Sequence, residues 1–263
     1  MNPTATTDSE FQRRRTALFR STCVIVLVLF SISASSFLYA IHTKSERDEK
    51  NRPVHDAKKG KLGEIDRGPG GKNEIALTFD GGAEAECFED LIAGLENARV
   101  KSTFFITGRF TQAHAGCVAE ITKHGQEIGN HTWSHLDLTQ QSDDVVRDEI
   151  TRAERAIVQV SGQSPRPRWR APFGGRDERV LKIAATLGYR SIYWTLDSLD
   201  SVEPVKSPQF LIDRITTKSD AELDGAIILM HVGERSTADA LPAIISNLQA
   251  RGFHLVTISK LLQ

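Results

Sequence analysis

The sequence predicts an α/β domain in which parallel strands are joined by helical crossovers, arranged as a barrel or as an open doubly wound sheet. Three observations predict it. Short apolar runs rich in β-branched and aromatic residues recur between residues 73 and 263, amphipathic stretches with helical spacing lie between them, and the two kinds of segment alternate to the end of the chain.

The first 72 residues stand apart from that pattern. Residues 1–21 form a short tail carrying Arg13, Arg14, Arg15 and Arg20, and Thr22 to Ile41 then read TCVIVLVLFSISASSFLYAI, uncharged throughout. That length is close to the roughly 20 apolar residues a membrane-crossing helix needs. Ser33-Ala34-Ser35 makes a poor cleavage site and hydrophobicity resumes at Phe37, so the segment reads as an uncleaved transmembrane anchor rather than a signal peptide. Its orientation stays open at this point, because Lys44, Arg47, Lys50 and Arg52 follow the span as closely as the arginines precede it. Residues 42–72 are dense in charge, Pro and Gly, with almost no large apolar residue to bury, and read as a flexible linker.

The remaining 73–263 suit a single domain. Runs at 75–79, 102–106, 191–194, 226–230 and 254–258 read as buried strands, with shorter runs at 127–129 and 168–169. Helices are expected over 84–98, with apolar residues at 88, 91, 92 and 95, and over 145–160, with Asp143 or Asp144 as N-cap. Two more are expected over 179–186, stopped by Gly188, and over 238–250. Lys and Arg number 33 against 34 Asp and Glu, a near-neutral balance that argues against a nucleic-acid partner. Three cysteines with no C-x-x-C spacing exclude a structural zinc built on thiolates; Cys87 and Cys117 read equally as a disulfide or as two buried thiols.

What ends each strand is the informative feature, since both architectures bind ligands at the carboxyl ends of their strands. Asp80, His131, Arg170, the Asp197/Asp200 pair and His231 fall at five separate ends. His131 and His135 have a spacing that can point two imidazoles at one ion, or they are capping histidines. Asp80, followed by Gly81-Gly82, is placed to be a general base toward an activated water, or it caps the next helix. Arg170, fixed by Pro172 nearby, would orient a neighbouring carboxylate, or it forms a structural ion pair. His231 is a candidate general acid, with Asp197 or Asp200 to orient it. Trp133 reads as a sugar-facing wall or as packing, while His42, His55, His114, His124 and His254 read as structural.

Taken in order, LTFDGG (77–82), HTWSH (131–135), RAPFGG (170–175), WTLDSLDS (194–201) and LMH (229–231) resemble the polysaccharide deacetylases with a NodB-homology domain, carbohydrate esterase family 4. The resemblance spans residues 73–263. It implies a deformed (β/α)7 barrel, here preceded by one transmembrane helix and a linker, and a metal-dependent hydrolase that removes N-acetyl groups from an amino-sugar polymer such as peptidoglycan or a chitin-like glycan. By motif it implies Asp80 as base, His131 and His135 as ligands to a divalent metal (zinc, or cobalt), Arg170 tuning the base, and His231 as acid assisted by Asp200. Phe173 would hold the oxyanion through its backbone N–H, with Leu229, Trp133 and Asp197 on the substrate side. Substrates of that class place the domain outside the cytoplasm, on the extracytoplasmic or periplasmic side of the inner membrane.

Two departures stand out. The family's TFDD has a second aspartate as third metal ligand where this chain has Gly81, and its fourth motif ends in tryptophan where this chain has Ser201. They keep two alternatives open: a catalytically impaired glycan-binding protein on the same fold, or a hydrolase of a non-sugar amide.

Overall fold

The computed structural model describes residues 63–82 and 84–263. The expected tail, the anchor at 22–41 and the linker up to residue 62 lie outside them. Among the described residues no helix is long and apolar enough to cross a membrane.

Strands β1 (Glu74–Gly81), β2 (Thr103–Ile106), β3 (Glu127–Asn130), β4 (Arg168–Trp169), β5 (Arg190–Ser191), β6 (Leu196–Asp197), β7 (Ile227–His231) and β8 (His254–Leu255) alternate with helices. The helices are α1 (Phe88–Asn97), α2 (Gly108–Ala113), α3 (Ala115–Lys123), α4 (Asp143–Ser161), α5 (Glu178–Thr186), α6 (Pro208–Thr216), α7 (Asp220–Leu223), α8 (Arg235–Ala250) and α9 (Ile258–Leu261). The strands pair in the order β5-β4-β3-β2-β1-β7-β6, with β8 also on β1. Every one of these ladders is parallel. The result is the predicted α/β architecture as a half-barrel of parallel strands.

Alternation along the strands sorts side chains into two cores. Ile75, Leu77 and Phe79 of β1 pack outward with Leu91, Leu95, Leu241 and Ile244 of the helices. Ala76, Phe105 and Ile227 pack inward with Ile258 and Leu261 of α9, which closes the lower end of the half-barrel. The same alternation carries Thr78 and Asp80 on the inner side of β1, so the strand that builds the core also aims the carboxylate.

Residues 63–72 differ from the expected linker. Ile65 is buried among the inner apolar residues. Its N–H donates to the Ser191 carbonyl (2.9 Å), its carbonyl accepts from Tyr193 N–H (2.7 Å), and Arg67 bridges to Ala226. Glu64 forms a two-pronged ion pair with Arg176 at 2.5 and 2.6 Å, both side chains 4% exposed. One isoleucine in a charged stretch supplies the apolar group, and open backbone edges on either side supply the hydrogen bonds. The folded body therefore begins upstream of residue 73.

The expected helices are present with shifted ends. Ser142, not Asp143 or Asp144, is the N-cap of α4, its hydroxyl lying 3.5 Å from Val145 N. Helices α2, α6, α7 and α9 were not expected; α2 and α3 are split at His114 and lack a long apolar repeat. Cys87 and Cys117 are both free thiols.

Candidate active site

The carboxyl ends of β1 and β7 set the first two functional side chains beside each other. Asp80 and His231 are register partners, and Val232 N–H donates to the Asp80 carbonyl at 2.9 Å. Parallel pairing fixes that neighbourhood whatever the side chains do.

Asp80 is 5% exposed, and its Oδ1 accepts from Arg170 Nη1 at 2.7 Å. Arg170 is itself fully enclosed and makes three further hydrogen bonds: Nη1 to Thr78 Oγ1 (2.9 Å), Nε to the Ile192 carbonyl (3.1 Å) and Nη2 to the Tyr193 carbonyl (3.2 Å). The guanidinium lies 4.1 Å over the Phe105 ring. Burial lowers the arginine's pKa, against which Asp80 acts to hold the proton. A buried cation this thoroughly bonded cannot swing, so the carboxylate it holds is fixed in orientation, Oδ1 engaged and Oδ2 turned toward the histidines.

His131 Nδ1 lies 2.9 Å from the Arg170 carbonyl oxygen. A carbonyl only accepts, so Nδ1 carries the hydrogen and Nε2 presents a lone pair. Burial, reinforced by the nearby His135 and Arg170, overrides the attraction of Asp80 and depresses His131 to about 4, leaving the ring neutral near pH 7. Its Nε2 is 3.1 Å from His135 Nε2 and 3.5 Å from Asp80 Oδ2. Two imidazole nitrogens bound to one tetrahedral ion at about 2.0–2.1 Å would be about 3.3 Å apart, so the pair fits a shared ion. A full protein cage is absent: among the described residues no group of three or more His, Cys, Asp or Glu side chains is placed to hold an ion. Gly81 contributes no donor, and a Cβ built there would meet Ile106 Cγ2 at 3.3 Å.

His231 is paired on its other side. Its Nδ1 is 2.7 Å from Asp200 Oδ1 and its backbone N–H donates to Asp200 Oδ2 at 2.7 Å, while Thr237 Oγ1 donates to that same Oδ2 at 2.6 Å. Burial works against a charged His231, but the charge and hydrogen bond of Asp200, with Asp80 and Asp197 further off, win and raise it to about 9. Burial likewise opposes ionisation of Asp200, yet His231 and Thr237 hold its pKa below the ordinary carboxylate value. The pair is an ion pair near neutral pH. Between Asp197 and Asp200, then, it is Asp200 that orients the acid. Asp197 instead accepts Leu199 N–H at 2.8 Å, and burial raises its pKa.

Leu229 is buried on β7, flanked by Thr78 on β1 and Asp197 on β6. Ser201 donates its N–H to Asp200 Oδ1 (2.9 Å) and sets its hydroxyl 3.5 Å from His231 Nε2, so a small polar group borders the acid. Phe173 sits at φ 56° in the turn after Arg170, its ring edge-on to His135 at 4.5 Å between centroids. The Trp133 ring lies against Gly108, where a Cβ would come within 2.1 Å of it, and under the Arg152 guanidinium at 3.8 Å. The half-buried ring thus touches α2 through Gly108 and α4 through Arg152, contacts of the packing kind.

The structure thus brings Asp80, Arg170, His131, His135, His231 and Asp200 together. Thr78, Thr237 and Glu149 escaped sequence reasoning. Thr78 had a signal, two residues before Asp80 on the same strand face; the other two lie on helices whose approach no local pattern records.

Comparison with known proteins shows what the chain is similar to. Residues 67–192 match the family model described as polysaccharide deacetylase. A peptidoglycan-N-acetylmuramic acid deacetylase of Bacillus subtilis is 30% identical over 189 residues, covering 72% of this chain and 71% of that protein. A chitooligosaccharide deacetylase of a Bradyrhizobium strain is 32% identical, covering 73% of this chain and 91% of that one. Among solved structures, a carbohydrate esterase family 4 pseudoenzyme from Bacillus anthracis superposes with a TM-score of 0.71 at 31% identity, over 77% of this chain and 69% of that one.

Proposed function

The chain belongs to the polysaccharide deacetylase family, and on that premise we propose that it is a metal-dependent hydrolase removing N-acetyl groups from an extracytoplasmic amino-sugar polymer, peptidoglycan or a chitin-like glycan. The observation that carries the reading is the pairing of a fixed carboxylate with a protonated imidazole: Asp80 held by Arg170 and, on the adjacent strand, His231 held by Asp200. The two carry opposite proton duties, which is what amide hydrolysis requires.

In this reading His131 and His135 hold a divalent ion, zinc or cobalt, which when bound supplies Lewis-acid polarisation and a more acidic water. Asp80 takes the proton of the water as its oxygen adds to the amide carbon. The Phe173 backbone N–H steadies the developing oxyanion. His231, charged and turned by Asp200, gives its Nε2 proton to the amide nitrogen as the carbon–nitrogen bond breaks, releasing acetate and a free amino sugar. Residues 22–41 anchor the chain in the inner membrane with this domain on the outer side, where the linker lets it reach polymer.

The missing donor at Gly81 favours a second reading, a glycan-binding protein with impaired turnover, for which the pseudoenzyme relative is a precedent in the family. One experiment separates the two. Acetate release from acetylated chito-oligosaccharides and peptidoglycan is measured with zinc, with cobalt and with chelator, for the natural chain and for Gly81→Asp. Release by the natural chain that the chelator abolishes supports the hydrolase; glycan binding without release, with release appearing only in Gly81→Asp, supports the impaired binder.

A further inference from the structure

Glu149, in the second turn of α4, is 6% exposed and takes no part in the chemistry above. Its carboxylate faces the turn between the two histidines. Oε2 accepts the N–H groups of Trp133 (3.0 Å) and Ser134 (2.8 Å), and Oε1 accepts the Ser134 hydroxyl (2.6 Å). The preceding N–H, of Thr132, goes to Asn130 Oδ1 at 2.8 Å. On the other side the carbonyls of Thr132 and Trp133 accept from Gly108 N–H (2.9 Å) and Arg109 N–H (3.0 Å) at the start of α2. The turn is gripped through its donors by α4 and through its acceptors by α2.

It needs gripping. Thr132 at φ 68° and His135 at φ 61° are both left-handed without being glycine, a state that persists only where surrounding contacts enforce it. Relaxing either residue would rotate His135 away from the 3.1 Å approach to His131. A carboxylate with three donors is a stronger grip than any neutral side chain at that position, because charge-assisted bonds from two adjacent N–H groups fix direction as well as distance.

We propose that Glu149 is the positioning residue of the histidine pair: it touches no reacting atom, and it holds the turn in the shape that brings His135 Nε2 to His131 Nε2. The proposal rests on the reading of that pair as the ion-holding site, and it is tested on readouts other than turnover. Glu149→Gln and Glu149→Ala are compared with the natural chain and with Ser134→Ala, which removes only the hydroxyl bond. Each protein is titrated with cobalt(II) alone, followed by its visible absorption, its metal-free thermal unfolding is recorded, and the ring nitrogen shifts of His135 and His231 are read by NMR in the metal-free state.

The expected result is a folded Glu149→Gln protein with cobalt affinity lowered about tenfold or more, the range seen when a partner behind a ligand is removed. His135 shifts move while His231 shifts stay, and Ser134→Ala remains within about threefold of the natural chain. Natural affinity and natural His135 shifts in either folded variant overturn the proposal. So does loss of folding in both, which assigns Glu149 to the fold instead. Should the natural chain take up no cobalt, the ion-holding reading falls and the His135 shifts alone decide the role of Glu149.

Discussion

At the scale of single residues, the site divides its titration between two histidines with opposite shifts. His131, depressed to about 4, is neutral across the physiological range, and its stabilising contribution is present above the ordinary histidine pKa and lost as pH falls toward 4. His231, raised to about 9, is the reverse: its ion pair contributes fully below the ordinary value and is lost as pH rises through 9. Acetate release by the proposed general acid should therefore hold from neutral pH and decline on the alkaline side near pH 9. In Asp200→Asn that alkaline limb should move to lower pH, because the strongest charge favouring the imidazolium is gone. A pH–rate profile of kcat/KM for the two proteins checks this, and an unmoved limb removes His231 from the acid role. Arg170→Met should abolish release and also destabilise the fold, since it strips Asp80 of its buried partner; loss of a buried ion-pair partner costs about 3–5 kcal/mol, readable by urea unfolding.

At the scale of elements, the segment at 63–68 acts as an additional strand-like edge between Ile192 and Ala226. Ile65→Ala should cost about 2–4 kcal/mol, as for other fully packed aliphatic truncations, with the loss measured as a lower urea midpoint at unchanged slope. Glu64→Gln leaves Arg176 buried with a weakened partner and should lower the thermal midpoint further than any charge change in the exposed pairs, such as Lys182 with Glu178. If both variants unfold as the natural chain does, residues 63–68 lie on the domain without stabilising it. The short inner helix α9 follows the same logic. Thr103 Oγ1 accepts Ile258 N–H at 2.9 Å, and Arg168 Nη1 donates to Ser259 Oγ at 3.0 Å, so four residues of helix are tied to the starts of β2 and β4.

At the scale of the whole molecule, the proposed anchor at 22–41 makes a separable prediction. The full chain should sediment with membranes and resist alkaline carbonate extraction, whereas residues 63–263 should stay in the supernatant and release acetate at the same rate; recovery of the full chain in the soluble fraction sinks the anchor. How much of the molecule was legible beforehand follows from what each signal depends on. Asp80, Arg170, His131 and His231 could be read because strand ends are marked by where apolar runs stop, and those stops sit next to the residue in the chain; His135 could be read from its spacing to His131. The alternation of strand and helix determined the parallel architecture for the same local reason. Three things had no such mark. That Asp200 and not Asp197 meets His231, which only the motif resemblance pointed to beforehand, depends on the left-handed turn at Leu199, φ 65°, which carries the Asp200 carboxylate to His231 while Asp197, at the end of β6, accepts Leu199 N–H. That Trp133 meets Gly108 and Arg152 depends on the approach of α2 and α4 to the same turn. That Ile65 and Glu64 belong to the fold depends on unpaired edges more than 120 residues away along the chain, whose need for hydrogen bonds no neighbouring residue announces. The sequence by itself determined which groups end the strands; only the tertiary structure decided which of them touch, because contact is set by helix approach and turn handedness, and neither has a period in the chain.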